Sequence, residues 1–575
     1  MTATPLTRRL STQTERIAED TTAIRSLDWD RDRFDIEFGL RNGTTYNSFL
    51  IRGDEVALID SSHAKFRRLY LEALQGQIDP RQIRYLIISH TEPDHSGLTG
   101  DLLELNPDLV VVGSKVALQF LADLVHRPFA QKVIKNGDQL DLGQGHVLEF
   151  VMAPNLHWPD TIFTYDHGTQ ILYTCDAFGM HYCSDRVFDE NLEEIESDFR
   201  FYYDCLMGPN ARSVLSALKR MEQLPPIGMI ATGHGPLLQY HLPEWTERYR
   251  TWSQNQAKAE TTVAVLYISD YGYSDRLSQA IARGITKTGV AVEMADLRFC
   301  EAQELRELVE AVAGVVMVTP PASGELAGKL QGALGTVLGA IHPGQVFGIY
   351  ESGSGEDQPS YPLQSRFQDL GLTLAFPVIR VRQLAGMNAS IYQLCEEAGT
   401  DLGQRLTKAR TIKQMKSLDS DLDKAMGRLS GGLYVVTARK AGASSAMLAS
   451  WVMPASQNPP GITIAVAKDR AIESFLQVED KFVLNVLEEG KHLHLMKHFL
   501  TFFPPGADRF AGIKTQTASN GSPILSEALA YLECQVQSRL ELSDHWLIYA
   551  TVSDGRVANP DGTPAVHHRK VGNHY

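Results

Sequence analysis

The pattern of apolar runs changes twice along the chain, and these changes limit the possible folds more than any single motif does. Residues 35–240 alternate short β-branched runs with helical patterns and turns. From Val263 onward each buried strand is followed by a loop and an amphipathic helix, and after residue 425 strands follow one another with few helices between them. Since 575 residues far exceed a typical domain of about 150, we expect three to four domains.

The middle pattern is the most restrictive of the three. The runs "VAVLYIS", "AVEMADL", "GVVMVTP" and "QVFGIYES" predict buried strands separated by helices, which is typical of a parallel, doubly wound sheet. A charged stretch at 400–425 predicts a helical linker, and runs such as "GGLYVVTAR" and "FVLNVL" predict a β-barrel-like third domain. The predicted divisions are 1–258, 259–405, a linker at 406–424, and 425–575.

Charge and hydropathy argue against several functional classes. The chain holds 54 Lys and Arg against 69 Asp and Glu, a net charge of −15, so nucleic acid and anionic membranes are not expected partners. No apolar run approaches the ~20 residues that cross a bilayer, and the first twenty residues lack the apolar core of a secretory signal. The six cysteines are scattered without a CxxC pair, which favours a reducing cytoplasm.

The stretch "HTEPDHSG" directly follows the predicted strand "IRYLIIS". In an extended segment residues i, i+2 and i+4 share one face, and His90, Glu92 and Asp94 have that spacing. Pro93 disfavours a helical conformation at Glu92, so we expect the segment to stay open. The three side chains could then converge on one metal ion, although a hydrated polar turn is the alternative for this stretch alone.

Three further residues with metal-binding side chains follow apolar strands. His157 comes after "HVLEFVMAPNL", Asp176 after "QILYTC" and His234 after "GMIATG". Loops at the ends of neighbouring strands assemble sites on one edge of a scaffold, so we expect these side chains to meet the first group. The complete set favours a metal site over unrelated polar turns.

This order resembles the metallo-β-lactamase fold, in which "ALIDSS" with Asp60 precedes a His-rich loop and then His, Asp and "GHG". Zinc hydrolases of that fold carry a second His where this chain has Glu92, and a mixture of imidazole and carboxylate suits iron. The pattern HxExDH is similar to that of the flavodiiron proteins, which implies an αββα sandwich with two non-haem irons.

The resemblance also implies a role for each of the six residues. It assigns one iron to His90, Glu92 and His157, the other to Asp94 and His234, and the bridge between them to Asp176. His95 matches a position that need not bind metal, so a ligand role and a packing role both stay open.

Three loops of the middle domain match the positions at which flavodoxins hold FMN. The first lies between a strand and a helix, where free N–H groups and the helix dipole favour a phosphate, and comprises Ser269, Asp270, Tyr271, Gly272, Tyr273 and Ser274. The other two follow later strands, at positions that flank the flavin ring, and comprise Thr319, Pro320, Pro321, Ala322, Ser323 and Gly324, and Ser352, Gly353, Ser354 and Gly355. An ordinary capped helix start is the alternative for the first loop.

Residues 425–575 resemble the split β-barrels of NAD(P)H:flavin reductases through "GGLYVVTA", "AMLASWVMPASQNPP", "FVLNVL", "FFPPGADRF" and "SDHW". The resemblance implies a second flavin, FMN or FAD, and NAD(P)H as the donor. The residues implied to contact them are Ala449, Ser450, Trp451, Ser456, Asn485 and His545. A core role for Trp451, a turn role for Ser456 and a solvated His545 are the alternatives.

Together the three segments resemble a long-form flavodiiron protein of oxygenic phototrophs with an appended flavin reductase. The resemblance implies NAD(P)H oxidation and four-electron reduction of O2 to water, as a photoprotective electron sink. It also implies a head-to-tail homodimer or a hetero-oligomer with a related chain. The alternatives are NO reduction at the same centre, a zinc hydrolase that acquired flavin domains, and a catalytically weak partner subunit.

Overall fold

The computed structural model describes residues 9–31, 33–34, 38–40, 42–268, 274–319, 324–353, 363–382, 389–417, 421–440 and 442–567. Three parts of the predicted flavin loops lie outside these residues, namely 269–273, 320–323 and 354–355. Throughout the described part of the chain, every helix is too short or too polar to cross a membrane.

The first unit consists of two packed sheets covered by helices. Its strands are β1 Leu10–Ala18, β2 Thr21–Asp28, β3 Arg33–Phe34, β4 Phe38–Gly39, β5 Thr44–Arg52, β6 Val56–Ile59, β7 Ile83–Ile87, β8 Val110–Gly113, β9 Ala130–Val133, β10 Gln139–Gly143, β11 His146–Met152, β12 Ile162–Asp166, β13 Ile171–Cys175 and β14 Met229–Thr232. Its helices are α1 Arg67–Gln77, α2 Pro93–Ser96, α3 Thr99–Leu105, α4 Lys115–Val125, α5 Leu192–Tyr202, α6 Ala211–Met221 and α7 Leu242–Ala257. The sheet orders are β1-β2-β5-β6-β7-β8-β9 and β10-β11-β12-β13-β14.

Three apolar layers hold this unit together. Phe49 and Phe150 belong to the core between the two sheets. Tyr70 on α1 belongs to the layer under α1, α3 and α4, and Trp245 on α7 belongs to the layer under α5, α6 and α7. Since apolar residues cover both faces of each sheet, the unit is the predicted αββα sandwich.

The middle unit is a parallel sheet with helices on both faces. Its strands are β15 Thr262–Tyr267, β16 Ala291–Asp296, β17 Gly314–Thr319, β18 Val346–Gly353, β19 Thr373–Leu374 and β20 Ile379–Arg382. Its helices are α8 Ser274–Thr286, α9 Ala302–Ala311, α10 Gly324–Ala340, α11 Leu363–Asp369 and α12 Ala389–Ser417. The order β16-β15-β17-β18-β19, with β20 also paired to β18, is the flavodoxin order, and the predicted fold is confirmed.

The third unit is built on an antiparallel sheet with the order β23-β22-β26-β29-β30-β25-β24. Its strands are β21 Gly431–Gly432, β22 Tyr434–Lys440, β23 Ala443–Ala449, β24 Val452–Gln457, β25 Pro460–Ala467, β26 Lys481–Val486, β27 Thr515–Thr517, β28 Pro523–Leu525, β29 Ala530–Glu541, β30 His545–Val557 and β31 Val566–His567. Its helices are α13 Asp421–Met426 and α14 His492–Leu500. The predicted boundary between 405 and 406 falls inside α12, which continues without a break into the predicted linker.

A buried group of charges joins the middle unit to the third. Lys287, which follows α8, lies 2.8 Å from Glu473 of the third unit and also pairs with Glu396 on α12. Arg539 on β29 pairs with Glu473 as well. Burial by itself raises the pKa of Glu473, but Lys287, Arg539 and Arg283 outweigh it and lower that pKa below its ordinary range. Each charge therefore depends on its neighbours, and removing one member leaves another uncompensated.

We expect Glu473→Gln to destabilise the full chain by about 3 kcal/mol at neutral pH, because Lys287 and Arg539 lose a buried partner. A carboxylate whose pKa is lowered by folding stabilises above its unfolded pKa, and that contribution disappears as the pH falls through its folded pKa. Chemical denaturation at several pH values measures the effect, which should shrink on acidification. Glu310→Gln, at an exposed carboxylate of α9, is the control. Equal stability of both variants would show that the buried group contributes nothing.

Candidate functional site

The loop that follows β7 changes conformation within "HTEPDHSG". Glu92 is extended, with φ −57° and ψ 138°, and Pro93 then opens the short helix α2. Proline suits the first helical position because its ring presets φ and no N–H is needed there. The predicted single extended face for His90, Glu92 and Asp94 is therefore wrong, since the extended segment ends at Glu92. The turn into α2 sends Asp94 and His95 to a different place from His90 and Glu92.

His90, Glu92, His157 and Asp176 form a first buried group. Nε2 of His157 lies 3.1 Å from Oε2 of Glu92 and 3.1 Å from Oδ2 of Asp176. Nε2 of His90 lies 3.1 Å from the same Asp176 oxygen and 3.7 Å from Glu92. Two imidazoles and two carboxylates therefore surround one point. They come from the loop after β7, the β11–β12 connection and the end of β13.

Asp94, His95 and His234 form a second group around the other oxygen of Asp176. Oδ1 of Asp176 lies 3.0 Å from Nε2 of His95 and 3.3 Å from Nε2 of His234. Asp94 lies 3.3 Å from His234 and 3.6 Å from His95. Asp176 thus faces each group with one oxygen, and the six predicted residues are brought together. The structure also places His95 in the second group, which the sequence left open.

The electrostatics of both groups are dominated by Asp176. Burial alone lowers the pKa of His90 and His234, but Asp176 and its neighbouring carboxylates raise these pKa values to about 9 and about 10. Burial raises the pKa of Asp176, yet the surrounding histidines lower it well below the ordinary range. The carboxylates are therefore ionised, and the site is built for positive charge.

Several buried atoms of the two groups are suited to a metal. Within the described residues, Nε2 of His90, Nε2 of His157 and Oδ1 of Asp94 make no hydrogen bond although they are buried. Nδ1 of His234 lies 2.6 Å from the backbone carbonyl oxygen of Thr45, so it carries the hydrogen and leaves Nε2 available. Imidazole and carboxylate donors around a shared carboxylate fit a pair of irons.

Two further aspartates fix the loop that carries His90. Asp160 is buried, and its Oδ2 accepts hydrogen bonds from the backbone N–H of Thr91 at 2.9 Å and from the Thr91 hydroxyl at 2.6 Å. Asp60 accepts a hydrogen bond from the backbone N–H of Ser89 at 2.8 Å. The sequence pattern pointed to Asp60 only, because Asp160 has no periodicity or motif that marks it.

The described parts of the three flavin loops lie at one edge of the middle sheet. Ser274 begins α8 and is buried, Thr319 ends β17, Gly324 begins α10, and Ser352 and Gly353 end β18. Since β15, β17 and β18 are parallel neighbours, their carboxyl ends share this edge. Doubly wound sheets bind ligands there.

In the third unit, the structure brings two residues of the predicted flavin set into ring contact. The rings of Trp451 and His545 lie 5.1 Å apart, next to the buried Ala449 and Ser450. Trp451 is 40% exposed, so it is not a core residue. His545 also lines a cavity of about 280 Å³ between α12 and the barrel.

Ser456 and Asn485 have protein partners of their own. The Ser456 hydroxyl donates to the backbone carbonyl of Pro459 at 2.6 Å. Asn485 is fully buried, donates to the Val435 carbonyl at 3.1 Å and accepts from the N–H of Leu525 at 2.8 Å. The Asn485 side chain on β26 therefore makes hydrogen bonds to β22 and β28.

Two family models match the chain, an ODP family beta lactamase at residues 44–235 and a flavin reductase like domain at residues 426–573. Putative diflavin flavoprotein A 3 of Nostoc sp. PCC 7120 is 66% identical over 569 residues, which cover 99% of this chain and 98% of that protein. The chain belongs to the diflavin flavoprotein A family.

Diflavin flavoprotein A 1 of Synechocystis sp. PCC 6803 is 65% identical over 574 residues, with all of both chains covered. Among solved structures, the metal-soaked flavodiiron core of Flv1 from Synechocystis sp. PCC6803 superposes with a TM-score of 0.66 at 37% identity. The superposition covers 70% of this chain and 99% of the Flv1 core. As a long-form flavodiiron protein, the diflavin flavoprotein is an oxidoreductase, and its family implies flavins and a diiron site.

We expect Asp176→Ala to lower the affinity for both metal equivalents by on the order of 100-fold or more, because one carboxylate serves both groups. His157→Ala should weaken one equivalent only. Anaerobic Fe²⁺ titration with metal analysis measures both outcomes. Asp123→Ala, on the exposed face of α4, is the control. If Asp176→Ala lost only one equivalent, the two groups would not share this carboxylate.

Proposed function

We propose that the protein is an NAD(P)H:oxygen oxidoreductase that reduces O2 to water at two irons, as an electron sink. The observation that carries the proposal is the position of Asp176, whose two oxygens each face a separate imidazole–carboxylate group. The overall reaction consumes two NAD(P)H, two protons and one O2 and yields two NAD(P)+ and two water molecules.

The residues of the first unit support this proposal through their charge and burial. His90, Glu92 and His157 would hold one iron, Asp94, His95 and His234 the other, and Asp176 both. When bound, the irons would supply O2 binding and reduction, and the flavins the conversion of a hydride into single electrons. Burial keeps bulk water away from these side chains, and Asp60 and Asp160 hold the loop of His90 in place.

A cavity of about 630 Å³ supports access by a small molecule. Residues of all three units line it, and the buried residues His181 and Tyr202 are among them. The ring of His181 lies 4.8 Å from that of His234, and the ring of Tyr202 lies 6.2 Å from it. Two residues of the cavity lining therefore lie beside the second metal group, and we propose this cavity as the route by which O2 enters and water leaves.

We place FMN at the carboxyl edge of the middle sheet and the second flavin, FMN or FAD, beside Trp451 and His545, with NAD(P)H as its donor. We also propose the divisions 1–258, 259–405, 406–424 and 425–575 as the limits of these units and their linker. Assembly as a homodimer or hetero-oligomer stays a prediction. The head-to-tail arrangement is part of that prediction, and within one chain α8 of the flavodoxin-like unit also contacts His157.

The deciding experiment measures iron and flavin per chain together with NAD(P)H-dependent O2 uptake on one purified sample. We expect about two irons, bound flavin, and O2 uptake that yields water without peroxide. His90→Ala should abolish this uptake while the flavin content is retained. Zinc in place of iron would contradict the proposal, and so would consumption of NO in place of O2.

We expect Trp451→Ala to weaken flavin binding by the third unit about tenfold, because an aromatic ring would be lost from the proposed flavin contact. Equilibrium dialysis of flavin and NAD(P)H-dependent reduction of added ferricyanide provide the measurement. The iron content should not change. Tyr240→Ala, at an exposed aromatic residue of the first unit, is the control. Unchanged flavin affinity in Trp451→Ala would place the second flavin elsewhere.

A further inference from the structure

Helix α8 of the middle unit reaches the first metal group. The side-chain amide of Gln279 lies 2.6 Å from Nδ1 of His157, and both groups are buried. Three residues earlier on the same helix, Arg276 lies 3.8 Å from Oε1 of Glu92, the oxygen that does not face the histidines. Two members of the first group thus have an outer neighbour on α8.

The second group is supported differently. His234 makes its outer contact with the backbone carbonyl of Thr45, on β5 of the first unit. The first unit therefore orients His234 without help, whereas His157 is oriented across the boundary between two units. This asymmetry predicts that the two metal positions respond differently to changes in α8.

The chemistry of a metal-binding histidine explains what Gln279 does. Nε2 of His157 faces Glu92 and Asp176, so this nitrogen would bind the metal and Nδ1 would carry the hydrogen. A buried N–H needs an acceptor, and the amide oxygen of Gln279 can take that place when the amide is rotated about its last bond. Such an outer hydrogen bond fixes the ring and raises the basicity of the ligand nitrogen.

Other contacts hold α8 and the neighbouring strands of the middle unit against the first unit. The guanidinium of Arg283 lies 5.6 Å from the ring centre of Phe201 on α5. Arg212 on α6 donates to the Thr262 hydroxyl of β15 at 3.3 Å and pairs with Glu293 of β16. The contact between Gln279 and His157 is thus part of a docked interface.

We propose that Gln279 is a positioning residue for the metal position of His90, Glu92 and His157, which reaches full affinity only when α8 is docked. The inference rests on the proposed two-iron site. It adds that the metal affinity of one position depends on the docking of α8. By linkage, a metal bound at this position also stabilises the docking of the middle unit.

The test compares Fe²⁺ binding by the unchanged full chain with binding by Gln279→Leu and Gln279→Glu, in anaerobic titrations with a competing chelator. Loss of an outer partner typically weakens metal binding by roughly 10–100-fold. We expect that loss in Gln279→Leu for one of two equivalents, with the other unchanged. Gln279→Glu should bind both equivalents nearly as tightly as the unchanged chain, because its carboxylate also accepts from Nδ1–H.

Gln303→Leu is the matched control. Gln303 is exposed on α9, and its side chain donates a hydrogen bond to Glu307, far from the metal groups in the chain. Circular dichroism establishes whether each variant is folded, and Gln279→Ala replaces Gln279→Leu if the latter is not. The same titrations with Zn²⁺ report on formation of the site independently of the natural metal.

Each outcome decides a separate question. Two unchanged equivalents in Gln279→Leu, or loss of both, would overturn the role of Gln279. If the unchanged chain binds two metals but consumes no O2, the proposed function fails. The titration then decides the role of Gln279 by itself. If the unchanged chain binds neither Fe²⁺ nor Zn²⁺, both proposals fail.

Discussion

The structure of the first unit depends on one buried carboxylate. Asp176 is almost fully shielded from solvent and lies within 3.0–3.3 Å of four imidazole nitrogens. An isolated carboxylate at such a place would cost several kcal/mol, so the histidines must be there for the fold to tolerate it. The histidines in turn are held by the loops after β7, β11 and β14. The αββα sandwich brings these loops to one edge, and the charge balance around Asp176 keeps them together.

Helix α8 connects this edge to the rest of the chain. Its first half carries Arg276 and Gln279 toward Glu92 and His157. Its second half and the residue after it carry Arg283 and Lys287 toward the buried carboxylates of the middle and third units. One helix therefore contacts the metal-binding residues at one end and the interface with the reductase-like unit at the other.

Local sequence patterns predicted the secondary-structure class of the units and most of the metal-binding side chains. The parallel, doubly wound middle unit and the strand-rich third unit follow from the periods and order of apolar runs, whereas the αββα sandwich was implied by the resemblance of the metal motifs to a known family. Six side chains of the metal groups were also predicted, because each comes after a strand end in a recognisable order. The conformation after Glu92 was mispredicted, since a proline restricts the residue before it and leaves the residues after it free to form a helix. Pro93 starts such a helix and divides the motif between two groups.

Contacts between units could not be predicted in the same way. Gln279 and His157 are separated by 122 residues and lie in different units, so no local period joins them. His95 was ambiguous because it matches a family position that need not bind metal, so the residues alone left a ligand role and a packing role open. Asn485, named through resemblance, makes hydrogen bonds that join strands of the scaffold, and its contact with a flavin stays a prediction.

Under the proposed function, the charges that line one cavity give a physical reason for hydride and oxygen chemistry at separate sites. Among the described residues that line the 630 Å³ cavity, the carboxylates are Glu193, Glu196, Asp198, Asp204, Glu473 and Glu541, and the guanidiniums are Arg200, Arg283 and Arg539. An excess of carboxylates disfavours an anionic dinucleotide there, whereas it does not oppose the passage of neutral O2 or water. A donor such as NAD(P)H would therefore bind elsewhere, and its electrons would have to reach the buried metal groups through intervening carriers. The proposed flavin positions, at the carboxyl edge of the middle sheet and beside Trp451, would supply such carriers.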